Sequence, residues 1–294
     1  MTAIASTAKA PRRKLPKIRT VNGKLINKIA IGLFLAVNFF WLGVPFIMAL
    51  IWSLVDPEHP WSYPDVLPPV MSFGRWTDMW ANSGLAEALT NSYSIAPAVA
   101  LLTVLLALPT AYALGRKDFP GKKVAEVVTL LPLVMPGMII GVFFSSMLIN
   151  LNLSNAYLGI VIGHTVLALP YAIRILSASF KSVPQDLIEA SRDLGGSPWT
   201  TFKHAYLPML KPGLLASLIF CLVVSIEEFN IAFVLGSPDY VTVPTILYSY
   251  LGYSFIRPNA AVVSLILVIP NVILMLIIER LLKGNYLADS TGKA

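Results

Sequence analysis

The chain has one cysteine, three histidines and few charges, and each scarcity closes off a class of function. A single thiol, Cys221, excludes an intramolecular disulfide. His59, His164 and His204 fall in an outer loop, an apolar helix and an inner loop, so no zinc-binding spacing is present and no metal site is expected. The pattern G-x-x-x-x-G-K-[ST] is absent, so the chain cannot cradle a nucleotide phosphate in the P-loop manner. Leu194-Gly195-Gly196-Ser197 carries no nucleotide reading without that phosphate site. Clustered inner-face acids or histidines, which a membrane enzyme would need, are also missing. No catalytic residue and no cofactor bound by this chain are expected.

Charge is the most telling shortage. Charged residues make up 13% of the 294, against about a quarter in soluble domains, while 56% are apolar and the mean hydropathy is +0.72. That composition describes an all-α protein crossing a membrane several times. A pI near 9.4 raises nucleic acid as a partner. The placement of the charge argues instead for a membrane: Lys9, Arg12, Arg13, Lys14, Lys17, Arg19, Lys24 and Lys28 form an acid-free tail before the first apolar segment.

Six segments reach the roughly 20 residues that a spanning helix needs: about 29 to 54, 88 to 114, 124 to 149, 156 to 180, 213 to 235 and 259 to 282. The first is too long for a signal-peptide core and lacks a small-residue cleavage site, so it reads as a retained anchor. The chain thus divides into a basic tail (1 to 28), a first span (29 to 54), an outer loop (55 to 87), a core (88 to 282) and a second tail (283 to 294), which reads as disordered. With both termini in the cytoplasm, the inner segments carry nineteen Lys and Arg, against only Arg75 and Arg257 outside.

Between the spans, the outer loop is rich in proline, and Trp61, Trp76 and Trp80 suit the membrane boundary. Trp76, Met79 and Trp80 share one face of a short interfacial helix. Pro97, Pro109, Pro132, Pro136, Gly137 and Gly141 predict bent helices two and three. His164 reads as a hydrogen-bonded packing residue, and Arg174 as one that snorkels to the inner boundary. Glu227, Glu228 and Asn230 stand deep in helix five, where carboxylates are costly and mark a pathway. Residues 243 to 250 suggest a re-entrant half-helix.

The longest polar island of the second half runs from Lys181 to Pro212. Ser182 and Pro184 are suited to start a first helix, with Leu187, Ala190, Ser191 and Leu194 on one face. Gly195 and Gly196 stop it. Ser197 and Pro198 start a second helix, striped by Trp199, Phe202 and Tyr206, which Leu207-Pro208 ends. The pair reads as an L with one oily side and one charged side, a form suited to docking on another protein.

Glu189-Ala190-Ser191, Gly195, Ala205 and Leu207-Pro208 together resemble the EAA loop of ABC importer permeases. The likeness covers roughly residues 85 to 282, including Asn91-Ser92 and Ala111-Tyr112-Ala113-Leu114-Gly115-Arg116, which are similar to the type I importer core. Ser225-Ile226-Glu227-Glu228-Phe229-Asn230, Leu235-Gly236-Ser237-Pro238, Val243-Pro244 and Tyr248-Ser249 are similar to the second permease of spermidine/putrescine importers. Permeases for aminoethylphosphonate, opines and ferric iron share the layout. The resemblance implies a type I permease fold in a bacterial plasma membrane, and ATPase coupling through Glu189, Ala190, Ser191, Gly195, Leu207 and Pro208. Its implied partners are a cytoplasmic ATPase dimer carrying ATP and Mg, a second permease or a second copy of the chain, and a secreted binding protein. A secondary carrier is the rival reading. It should show inverted repeats and its own coupling-ion site, no repeat is visible, and a docking loop would be unexplained.

Overall fold

The computed structural model describes residues 23–153 and 155–291, and it is built of helices throughout. The expected basic tail, as far as Arg19, lies outside the described residues. Helix α1, Gly23–Ser53, contains the first apolar stretch. It belongs largely to a unit ending at Met48, and the remaining chain forms a second unit. Among the described residues, five helices are long and apolar enough to cross a membrane, and a bent helix pair supplies a sixth crossing if it counts as one span.

In the second unit, the outer loop is less irregular than its prolines suggest. It carries helix α2, Gly74–Asn82, which buries Met79 and leaves Trp80 exposed. Val55 and Met71 form an isolated antiparallel bridge. Asp56 accepts from the Ser72 hydroxyl at 2.7 Å, and this bond, followed by those from His59 and the Glu58 N–H, holds its carboxyl down at about 2.

Helix α3, Leu85–Arg116, covers helix two and extends it at both ends. Helix three is broken into α4 (Lys122–Val128), α5 (Leu131–Val134) and α6 (Gly137–Asn150), with a 94° bend between the first two and the last. Pro136 lies at that corner, where a missing N–H and a ring clash stop a straight helix. Helix α7, Ala156–Ser182, follows as helix four.

The inner loop carries α8 (Gln185–Asp193) and α9 (Pro198–Thr201). Here the structure corrects two expectations. Ser182 does not cap α8, because α7 continues through it and its hydroxyl donates to Ser179 O; Pro184 occupies the N-cap position. Leu207-Pro208 does not end the second helix either. A π-helical turn, Phe202–Tyr206, leads without interruption into α10, Leu207–Glu227, so one helical path spans Pro198–Glu227. The Leu207 N–H reaches back five residues to Phe202 O. This wider turn shifts the ladder just where the Pro208 ring would clash with an ordinary α-turn.

Beyond α10 come α11 (Asn230–Gly236), α12 (Val243–Tyr248) with a following π turn, and α13, Arg257–Thr291. The expected disordered tail is helical as far as Thr291. Helix α12 covers residues 243–248 of the 243–250 stretch expected to form a half-helix. Its N-terminus is fixed by a capping box of Thr242 and Thr245, and Ser92 Oγ accepts from the Val243 N–H at 3.0 Å. Asn91 Nδ2 donates to Val241 O at 2.9 Å, so the Asn91-Ser92 pair pins the start of α12 to α3.

The main core lies where α3, α7 and α10 pack together. Ala107 and Ala111 of α3 and Ala168 and Ala172 of α7 are fully buried. Small residues four apart let two helix backbones approach closely, which is how helices associate where lipid removes the usual hydrophobic drive.

Candidate coupling surface and transmembrane carboxylates

The inner corner is built by local rules. Gly195 has φ +81, the left-handed conformation that suits glycine. Its N–H donates to Arg192 O at 2.8 Å, and the Gly196 N–H donates to Ser191 O at 2.9 Å, the paired bonds of a Schellman cap. Ser197 Oγ then accepts from the Thr200 N–H at 3.2 Å, with Pro198 in the first turn. Ser191 Oγ lies 3.1 Å from Thr201 Oγ1 and ties α8 to α9 across the corner.

The base of the corner is anchored to the core. Ile188, 1% exposed, joins the main core, as does Tyr206. Tyr112, Phe180 and Tyr206 meet edge to face, with ring centroids 5.5 to 5.9 Å apart. Arg116 donates to Val183 O at 3.0 Å and to Gln185 Oε1 at 2.6 Å. Gln185 Nε2 in turn donates to Glu189 Oε1 at 3.0 Å, so Glu189 is exposed yet held in place from α3.

The expected apolar face of α8 points outward. Leu187, Ala190, Ser191 and Leu194 line an open groove of about 340 Å³ with His204 and Ala205. Leu194 is 89% exposed and Trp199 71% exposed, with Trp199 stacked on Phe202 at 5.8 Å. Ile188 turns inward in their place, a residue left off the predicted stripe. Of the six coupling residues, Glu189, Ala190, Ser191 and Gly195 form this corner, Leu207 is half-buried in the helical path, and Pro208 is exposed there. An apolar groove on a helix that also carries exposed Asp186, Glu189, Arg192 and Asp193 can receive a protein surface.

The two adjacent glutamates are used differently. Helix α10 ends at Glu227, and Glu228 takes an extended conformation as its C-cap. Glu228, 7% exposed, turns onto the next helix: Oε1 accepts from the Asn230 N–H at 3.0 Å, and Oε2 accepts from the Ile231 and Ala232 N–H groups at 2.9 and 3.2 Å. A carboxylate there satisfies the free amides of α11 and meets the positive end of its dipole. His164, 1% exposed, supports it from α7. Its Nδ1 is 2.9 Å from Ser225 Oγ, and its Nε2 is 3.3 Å from Glu228 Oε2, close enough for an ion pair but not aligned for a hydrogen bond. His164 therefore packs as expected, against Glu228, the one buried carboxylate among the described residues.

Glu227 faces elsewhere. It is exposed in the chain, and its Oε1 accepts from Asn271 Nδ2 of α13 at 3.1 Å. Asn230 is half-buried beside Gly137: a Cβ on that glycine would come within 3.1 Å of Asn230 Cβ and 3.3 Å of Glu228 Oε1. Likewise a Cβ on Gly163 would reach 2.6 Å from Ile231 Cγ2, so these two positions let α6 and α7 close around α11. Sequence reasoning missed Asn271, Gln185 and the His164 contact, since each pairs with a partner outside its own helix. Among the described residues, no three His, Cys, Asp or Glu side chains gather as a metal site.

A multi-pass helical bundle with a broken, acid-capped span and an exposed helix corner on its basic side defines a membrane component made to work with another protein. The chain belongs to the binding-protein-dependent transport system inner membrane component family, whose model matches residues 103–284. It is 31% identical to the diacetylchitobiose uptake system permease protein NgcG of Streptomyces coelicolor over 60% of this chain and 59% of that protein. It is 26% identical to the trehalose transport system permease protein SugB of Mycobacterium tuberculosis over 73% of this chain and 80% of that one. The first match thus spans less than two thirds of its relative. The fold is that of ABC importer permeases: a chain from a bacterial ABC transporter involved in the import of the acidic polysaccharide alginate aligns with a TM-score of 0.72 at 18% identity, over 88% of this chain and 98% of that one. The chain is a multi-pass protein of the inner membrane.

Proposed function

We propose that this chain is the membrane-spanning subunit of an ATP-driven importer, passing a small solute delivered by a secreted binding protein. A separate ATPase dimer docks on the corner at residues 185–206 and carries the ATP and Mg. A second permease, or a second copy of this chain, completes the passage. The observation that carries this reading is the corner itself: a capped helix pair, anchored by Arg116 and Ile188, that presents an apolar groove and a fixed Glu189 outward.

The test is Glu189→Lys, which reverses the charge offered to the partner at an exposed position. Insertion stays normal, while ATPase co-purification and uptake fall together. Full uptake by that variant contradicts the docking role.

For the solute, Glu227 supports an organic cation of the polyamine type. It is the exposed acid of the pair, in a span where an exposed carboxylate is costly unless it faces water or a partner. A neutral sugar is the second reading, favoured by the relatives named for diacetylchitobiose and trehalose. Glu227→Gln separates them: uptake of labelled spermidine falls strongly in the first case, and uptake of a labelled disaccharide is unchanged in the second.

A further inference from the structure

The α4–α5 arm meets α6 at a 94° bend and lies near the second half of α7. Between that arm, the end of α3 and α7 lies a cavity of about 360 Å³. One face of α7 furnishes its wall, because Pro170, Arg174, Ser177 and Lys181 recur at helical spacing. The facing wall bears Glu126, Thr129 and Leu130.

Its lining changes along the helix. Pro170 and Ile173 form the deeper part, Arg174 and Ser177 the middle, and Lys181 the rim next to the helix end at Ser182. Arg174 stands eight residues before Ser182, about 12 Å along the axis, on the basic side of the membrane. Neither Arg174 nor Lys181 has an ion pair or side-chain hydrogen bond among the described residues, and Glu126, the acid in the same cavity, pairs with neither. Arg174 and Lys181 are both exposed in the chain, so two cationic heads without a partner are open to an anion in this cavity.

We propose that this cavity is a site for a phosphate group carried by an inner-leaflet phospholipid, with Arg174 and Lys181 as its charge and the Ser177 hydroxyl as a further donor. A graded wall, apolar at depth and cationic at the rim, matches an amphiphile entering from the lipid, with acyl and glycerol carbons against Ile173 and Leu130. Basic pockets between spanning helices on the cytoplasmic side take phospholipid headgroups in this way. Free phosphate offers the same chemistry without the apolar half. The site adjoins the coupling corner, since Lys181 precedes α8 by only a few residues. An occupant would therefore fix the helix end from which the corner hangs.

The test uses the purified, assembled complex in detergent, incubated with phosphatidylglycerol, with diacylglycerol, or with inorganic phosphate, and read by native mass spectrometry. Phosphatidylglycerol is retained and diacylglycerol is not. Arg174→Gln with Lys181→Gln lowers retention by about tenfold or more, whereas the swap Arg174→Lys with Lys181→Arg keeps it. Glu126→Gln, which removes the opposing charge, raises it. Displacement of the lipid by millimolar inorganic phosphate would overturn the lipid as occupant in favour of the free anion. Equal retention by the double glutamine variant, or retention of diacylglycerol, would overturn the site. Retention is read without transport, so its failure leaves the importer function standing.

Discussion

The inner corner at 185–206 and the outer break at 227–236 both bend a helical path, but they do so by opposite means. The corner is closed by bonds between residues a few positions apart, Gly195 to Arg192, Gly196 to Ser191 and Thr200 to Ser197, and it leaves its apolar side open. The break also has a local cap, Glu228 on the Asn230, Ile231 and Ala232 amides, but distant residues enclose it: His164 sits under Glu228, Gly137 and Gly163 make room for α11, and Asn271 reaches Glu227. A bend held by its own residues can offer its surface to a partner. A bend held by three neighbouring helices moves only when they do, which suits a barrier within the membrane.

This contrast predicts that single changes at the break damage the fold, whereas those at the corner damage coupling. The largest effect is expected from Glu228→Leu. It strands three amides of α11 and the His164 ring in the interior, at roughly 3 kcal/mol or more, and the protein should be lost from the membrane fraction. Glu228→Gln keeps an acceptor oxygen and should retain most of the fold, as read by thermal unfolding in detergent. If both variants were equally stable, Glu228 would not be the cap that holds the break.

Gly195→Val comes next. A Cβ there meets open space, so the change strains only the left-handed backbone, at about 1–2 kcal/mol. Expression should be near normal, with ATPase co-purification and uptake lost. Loss of expression instead would mean the corner is as deeply tied to the fold as the break. Ser191→Ala removes one hydroxyl bond between α8 and α9, worth about 1 kcal/mol, and should lower coupling slightly without altering membrane insertion.

The same contrast explains what could be read in the sequence. Gly195, Ser197 and Pro198 act on their immediate neighbours, so the cap, the turn and the restart were visible in the residues themselves. Ser182 and Leu207-Pro208 look like equally good local signals and misled, because burial of Phe180 and Val183 carries α7 onward and a π turn absorbs the proline. The prolines of helix three announced a bend but not its 94° angle or the cavity behind it. The two glutamates looked alike: Glu228 caps amides two to four residues ahead, a role visible only once the helix is known to break there, while the Asn271 partner of Glu227 lies 44 residues away. The Ser191–Thr201 bond joins two side chains ten residues apart, a tie across the corner that the pattern of α8 alone does not show.

If the open groove of the corner receives the ATPase, a thiol placed at its lip should sense the bound partner. Cys221 is fully buried, so Leu194→Cys adds an exposed thiol at the lip of the groove. In membrane vesicles, that thiol should react with a bulky maleimide when the ATPase is absent and be protected when it is bound. The same labelling rate with and without the ATPase would contradict docking at this corner.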